Sequence, residues 1–519
     1  MRLFCGFLPY FTNMSKLAIY PVVLALALLF NYSSSAQPQP NFSKSGDVHK
    51  QVLEAWNNQY REYYAGEIQR RLFEEGDVYV LYDVQIGGLQ SFVEMTRRCK
   101  DVQQIAELVT LLRPVLFALK PIPGSNNSTG WICSGGKTCT AYRFIGNEVP
   151  LCSVQFLGLL GALATNITEN IPTRQQTAEQ KAFLKETFST MSIQLDRWLT
   201  AGYFTSVEKR LGVTADEVKG RNAGYYFSDK DLWYLTVLSD LSELHLAGIQ
   251  AGTDDGNKAF TTLQNKRVQI QKIFDLFLAR TFLNPLPNGK RAEIDKGFWA
   301  YHYDNRYAGY TGATSPVTWV PDSNGISKMQ ILVAWDSSHL APHTGWDISH
   351  ARRLVPALET LTRNKENIKK VWGYSNPSFD PVAIREAYAN QIVEEIWNGD
   401  TEFPLFSNFW SGDNGWYRVA YASQTGRQSP GNPPYGLSVS MPSGGYATWG
   451  AFQPTLKKVF RRIFDLTQKK EPNATSFIQQ YYRSFSNEGA ESAFIPTRQS
   501  FAFLSDLVAL PAAERRQSK

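Results

Sequence analysis

The sequence predicts an all-α protein, an (α/α) toroid or incomplete toroid of helical hairpins with long aromatic loops. Three observations carry that expectation. Apolar residues recur at helical spacing along almost the whole chain, and few segments alternate as strands do. The glycine- and aromatic-rich stretches at 219–229, 297–320, 334–347, 405–424 and 430–450 each fall between predicted helices. Successive hairpins of a ring would bring such loops to one common end, whereas a regular solenoid needs a fixed repeat, and the sequence has none.

The first 36 residues read as an export signal: Lys16 precedes an apolar run, Leu17–Phe30, followed by the small-residue stretch Ser33–Ala36. Pro21 interrupts the run, which is short for a bilayer span. An uncleaved N-terminal anchor is the competing reading and the one expected route to a membrane. Met14 begins a more usual signal, with cleavage expected after Ala36. Residues 37–48 are expected to be disordered, 49–510 to form a single helical domain, and 511–519 to be a flexible tail. Cleavage removes Arg2 and Lys16 and no acid, taking the net charge from +6 to +4. That is nearly neutral for the length. No block of five or six basic residues occurs, and LKKVFRRIF at 456–464 reads as a solvated helix face, so nucleic acid is not an expected partner.

Along the chain, helices are expected at 50–73, 86–98, 101–119 and 152–167, with VYVLYDVQ at 78–85 read as helix rather than strand. Phe183, Thr187, Met191, Leu195 and Trp198 mark the apolar face of a helix ended by Gly202. Leu232, Leu235, Leu238, Leu241 and His245 mark the next, opened by Ser228 and Asp229 and closed by Gly248; Ile270, Phe274 and Phe277 continue the pattern. A helix over 347–362 contains Pro356. Asp380 and Pro381 form an N-cap and N1 pair for a helix carrying Ile384, Tyr388, Ile392 and Ile396, closed by Gly399. Further helices are expected at 449–467, 476–485 and 497–509. Trp198, Trp233 and His245 belong to the core on this reading, and His49 to the surface.

Cleavage leaves Cys99, Cys133, Cys139 and Cys152, an even number suited to two disulfides in an exported protein. The glycines of CSGGKTC let Cys133 and Cys139 close on each other, leaving Cys99 to pair with Cys152; unpaired thiols are the alternative. Zinc is disfavoured, because no histidine lies near them in sequence. Asn126, Asn127, Asn166 and Asn473 sit in glycosylation sequons.

Three constellations suit chemistry. In FWAYHYDNRYAGY (298–310), His302 or Tyr303 is placed to take a proton and Tyr307 to return one, while Asn305 and Arg306 neutralise a carboxylate. In WDSSHLAPHTGWDISHARR (335–353), Asp347 and His350 share one helix face and suit an oriented base, with Trp335, His339, His343, Trp346 and Arg353 as substrate contacts. Pro342 prevents His339 and His343 from stacking on one helical turn, so neither a metal nor another cofactor is expected. In NFWSGDNGWYRVAYASQTGR (408–427), Asp413, Asn414, Trp416, Tyr417 and Arg418 combine ring platforms with polar groups, as sugar sites do. Tyr82, Asp83, Gln85, Asn222, Tyr225, Tyr226 and Asp229 are weaker candidates for the same cleft.

An exported all-helical chain with Trp/Tyr-rich loops and Asp347, Ser349, His350, Ala351 and Arg352 at a helix start resembles the (α/α)-toroid polysaccharide lyases, notably alginate-lyase-like proteins. The likeness spans 70–470 in general character and is detailed only at 298–353 and 408–418. The Asn-His-aromatic helix motif of a typical alginate lyase is absent. The resemblance implies a secreted or periplasmic enzyme that cleaves a uronic-acid polysaccharide by β-elimination. The alternatives are an inverting glycoside hydrolase, using two of Asp336, Asp347, Glu395, Asp400 and Asp413, or a non-catalytic glycan-binding envelope protein.

Overall fold

Helices dominate the computed structural model, at 62% of residues against 9% strand. It describes residues 40–125, 128–214, 217, 223–251, 256–295, 305–422, 428–469, 471–485 and 494–510. The expected export signal, the tail at 511–519, Asn126, Asn127, Asn222, His302 and Tyr303 therefore lie outside the described residues. Residues from Phe42 onward form one unit, and 1–41 another.

The helices follow the apolar periodicity. Residues 47–75 are helical throughout, and 79–99 form two helical stretches that meet at a kink where Gly88 has φ +144°, so VYVLYDVQ is helix. Pro150–Asn170 is long and apolar enough to cross a membrane, yet its window is 89% buried, which makes it a core helix. It packs against Asp229–Ala251, which packs in turn against Leu354–Trp372. Gly158 permits the first contact: a Cβ there would stand 2.5 Å from the Trp233 ring. Arg363 joins the second pair by donating to Asp240 at 2.8 Å.

Neighbours continue in order. Leu354–Trp372 meets Tyr446–Ala451, which meets Phe494–Leu507, and that last helix packs on Gln90–Cys99, itself against Pro150–Asn170. Val102–Leu112, Ala178–Trp198, Pro381–Gln391 and Pro454–Gln468 each back one of these segments.

Several boundaries differ from expectation. The Ala178–Trp198 helix, opened by a capping box of Thr177 and Gln180, stops at Leu199; Gly202 lies in the first turn of Ala201–Leu211, capped by Thr200. The next long helix runs through Gly248 to Ala251, because a single glycine costs only about 1 kcal/mol in a helix whose other face is packed. Two sizeable hairpins were not anticipated: Thr281–Leu286 with Gly289–Ile294, and Val317–Pro321 with Ser327–Ile331. Asn288-Gly289 and Asn324-Gly325 at their turns are the signal that would have found them.

Cys133 and Cys139 form a disulfide, which suits an oxidising compartment. Cys99 and Cys152 remain unpaired thiols, correcting the expected second bridge. Their helices do pack together, but Asn166 and Asn170 bond to residues 93–97, so Cys99 meets the far end of the helix that begins near Cys152. Eighteen residues of helix separate those ends by roughly 27 Å. Asn166 is fully buried in this contact, which rules it out as a glycan acceptor, whereas Asn473 is exposed.

The segment expected to be disordered is docked from Phe42 onward, with the Phe42 ring 5.2 Å from Phe464 and its carbonyl accepting from the Ala509 amide. His49, expected at the surface, is buried.

Candidate functional site

Asp347 ends an extended stretch and caps the helical turn Ile348–Ala351, accepting from the Ser349 and His350 amides at 3.0 Å each and from the Ser349 hydroxyl. Three residues on, His350 returns to the same face, and its Nδ1 lies 2.6 Å from the second Asp347 oxygen. Asp347 is fully buried, while the His350 side chain keeps 21% of its surface open. Burial by itself raises the Asp347 carboxyl, but the His350 ring, the Ser349 hydroxyl and the Arg418 guanidinium together hold it well below the usual carboxylate range. A carboxylate at Nδ1 places the ring proton there and makes Nε2 the basic nitrogen.

A second segment closes on this pair. Tyr417 brings its hydroxyl to 3.3 Å from His350 Nδ1, and the Arg418 guanidinium lies over the Tyr417 and Tyr421 rings. Arg418, Ala420 and Tyr435 all have left-handed backbone (φ +52°, +61° and +63°), which non-glycine residues adopt only when their surroundings impose it. The imposing contacts are visible. Tyr417 exchanges two backbone hydrogen bonds with Asn432, and Asn414 accepts from the Tyr435 amide at 2.8 Å. Asn408, fully buried, donates to the Gly415 and Pro433 carbonyls and accepts from the Leu437 amide. In the sequence Asn408 is a lone asparagine in an aromatic loop, which carries no signal of such a junction.

Arg353 supplies the third side. It donates to the Tyr82 hydroxyl at 3.2 Å and to the His350 carbonyl at 3.3 Å, and stands 3.6 Å from Asp229. Tyr82 and Asp229, 147 positions apart in the chain and weak candidates in the sequence, thus meet through one guanidinium. Tyr79 and Tyr142 stack with ring centroids 5.8 Å apart. The result is an imidazole, two guanidinium groups and several phenols around a partly open centre.

Other expected site residues go elsewhere. Tyr307 is buried in a small second cluster with Val317, Trp416 and Val419. Its hydroxyl donates to the Val333 carbonyl at 2.7 Å, its ring stacks on His339, and burial raises its phenol, which corrects its assignment as the acid. Trp416 is buried there too, its indole donating to the Gly312 carbonyl, and Trp346 is buried in the main core, so neither ring is a sugar platform. Asn305 is fully buried, and the Arg306 guanidinium lies over Tyr307 while its carbonyl accepts from the exposed Trp335. His339 closes a capping box with Asp336, and His343 is exposed on the loop that follows. Asp413 accepts from Thr344 and Ser411, Glu395 pairs with Arg291, and Asp400 caps its own turn. These carboxylates serve local structure. Gly415 joins the two clusters: a Cβ there would meet the Ala308 carbonyl oxygen at 1.9 Å.

Among the described residues, His49, Cys99 and Asp101 are near enough to share a metal ion. However, the Ser45 amide donates to His49 Nδ1 at 3.1 Å, which puts the ring proton on Nε2, facing Asp101 at 2.8 Å. Lys44 also approaches Asp101, at 3.5 Å. With its Nε2 proton turned to Asp101 and the half-exposed Lys44 ammonium beside that carboxylate, His49 is a hydrogen-bond donor here and the cluster is a hydrogen-bonded network rather than a ligand set.

Comparison with known protein families, with characterised proteins and with solved structures finds no match.

Proposed function

We propose that this chain is an exported (α/α)-toroid protein that cleaves a uronic-acid-containing polysaccharide by β-elimination at the His350 centre. The toroid is supported by the order of helix neighbours, in which Phe494–Leu507 returns to Gln90–Cys99. Export is supported by the Cys133–Cys139 disulfide together with the apolar N-terminal sequence. The activity rests on one observation above the others: a partly open imidazole whose Nδ1 is held by a fully buried carboxylate.

On this reading Arg418 pairs with the substrate carboxylate and acidifies the adjacent C–H. His350 Nε2 takes that proton. The electron pair of the broken C–H bond forms a double bond to the neighbouring ring carbon, and the glycosidic C–O bond at that carbon breaks. The departing oxygen takes the proton of Tyr82, whose hydroxyl Arg353 already contacts. His350 and Tyr82 then exchange protons with water to restore the starting state. Asp347 and Tyr417 position the imidazole and do not touch substrate. Tyr82 takes the acid role expected of Tyr307, whose hydroxyl donates to the Val333 carbonyl.

The test is ultraviolet absorbance of the new conjugated double bond after incubation with alginate, pectate and glycosaminoglycans. Expected is a signal with one of these polymers that His350→Ala abolishes while the fold is retained. Reducing ends without that absorbance would mean hydrolysis, and no turnover by folded protein on any acidic glycan would end the proposal.

A further inference from the structure

We propose that the hairpin of Val317–Pro321 and Ser327–Ile331 is the surface through which two copies of this chain pair, the strand Ser327–Ile331 of each running antiparallel to the other across a two-fold axis. The contact is independent of the chemistry proposed at His350. Six of the fifteen large apolar side chains exposed among the described residues fall within residues 320–335: Val320, Ile326, Met329, Ile331, Leu332 and Trp335. Single exposed apolar residues are ordinary, whereas such a cluster on one element marks a surface that another molecule covers.

The backbone shows what kind of molecule fits. The two strands form a sheet of their own, with Trp319 opposite Met329 and Val317 opposite Ile331. Val317–Pro321 also packs beside Gln428–Ser429, but Ser327–Ile331 has no second strand beside it among the described residues. The Asp322 amide donates to the Ile326 carbonyl and the Leu332 amide to the Pro316 carbonyl, and hydrogen-bonded pairs alternate along antiparallel strands. Lys328 and Gln330 therefore use their backbone groups inside the hairpin, while Ser327, Met329 and Ile331 point theirs outward. An edge of unpaired donors and acceptors, with no proline and an unbroken register, accepts another extended strand.

Self-complementarity selects the strand. Natural edges are commonly protected by charge. Here the one charged residue of the edge is Lys328, and its ammonium pairs with Asp322 at 3.2 Å. A two-fold axis through Met329 sets that residue opposite its own copy and Ser327 opposite Ile331, so the outward groups of all three find partners. Lys328 then faces Gln330 of the other copy, and no like charges meet. Met329 and Ile331 share a face with the half-buried Trp319, and pairing continues that face into one apolar strip. A strand of unrelated sequence gains the backbone bonds without this match. Val317 at the root of the hairpin packs with Trp416, the neighbour of Tyr417, so pairing also braces the loop that carries Tyr417 and Arg418.

The experiment uses the full chain. Mass in solution is measured by light scattering over a wide concentration range for wild type and for Met329→Lys. Expected is a wild-type mass that rises to twice that of the chain. Met329→Lys sets two ammonium groups face to face at the axis and should stay at chain mass while folded. Register is tested by mild oxidation of Met329→Cys and Lys328→Cys, with wild type as the control for the natural cysteines. Cα atoms of a hydrogen-bonded pair stand about 5.5 Å apart, within the reach of a disulfide. Met329→Cys should therefore give a covalent dimer, and Lys328→Cys, which faces Gln330, should not. This cysteine comparison keeps the proposal testable if Met329→Lys does not fold. A wild type of single-chain mass throughout, a dimer that Met329→Lys leaves intact, or Lys328→Cys crosslinking as readily as Met329→Cys, would overturn the assignment.

Discussion

Replacing Asp347 with asparagine separates the two jobs of that carboxylate. Asparagine caps a helix as well as aspartate does, so the bonds from the Ser349 and His350 amides at 3.0 Å survive. What is lost is the charge opposite His350 Nδ1 at 2.6 Å. A hydrogen bond to a charged group contributes about 1.5–3 kcal/mol. His350 keeps 21% of its surface in solvent, which points to the lower half of that range. Asp347→Ala removes the cap as well and should cost about 1 kcal/mol more.

The pH dependence checks the cause. The folded Asp347 carboxyl is depressed relative to its unfolded value near 3.9. Its contribution is therefore complete above about 3.9 and is lost as pH falls below that value towards the folded one. Urea unfolding of wild type and Asp347→Asn should show the full gap near pH 7 and a closing gap in acid. A neutral-pH gap below about 0.5 kcal/mol, inside the range of an unremarkable surface change, refutes the reasoning. So does a gap that acid leaves unchanged.

Other outcomes follow from single contacts. Gly415→Ala should destabilise by about 1–3 kcal/mol, since its Cβ would collide with the Ala308 carbonyl at 1.9 Å; unchanged unfolding would show that the two loops do not meet as described. Cys99 and Cys152 should resist a thiol reagent near neutral pH until the chain unfolds, because both are buried and burial raises the Cys99 thiol to about 11; prompt labelling of native protein contradicts this. Burial raises the Asp506 carboxyl to about 7, above its unfolded value, so the folded state binds the extra proton and stability should fall as pH rises from about 4 through 7. Asp506→Asn should remove that slope in pH-dependent unfolding curves, and an unaltered slope would assign it to another group.

Helix existence was legible in the sequence because burying one stripe of a helix writes a 3.6-residue period into the chain. Phe183, Thr187, Met191 and Leu195 show it, and all four are buried. Boundaries were less legible, since Gly202 and Gly248 read as stops while the true breaks depend on Thr200 as a cap and on packing beyond Gly248. The Asp347–His350 pair was readable for the same reason as the helices: three residues on a helix start are neighbours whatever the rest of the chain does.

Tertiary structure alone decided which aromatic residues face a cleft. Trp346, Trp416 and Tyr307 have the same composition signature as Tyr82 and Tyr421, yet the first three are buried and the last two stay partly open. It likewise decided that Cys99 and Cys152 stand at opposite ends of a helix contact. Local spacing fixes what lies within a turn or two along one backbone. Which of those faces is covered, and by which distant segment, depends on contacts such as Arg353 with Tyr82 that span hundreds of residues and leave no periodic trace in the chain.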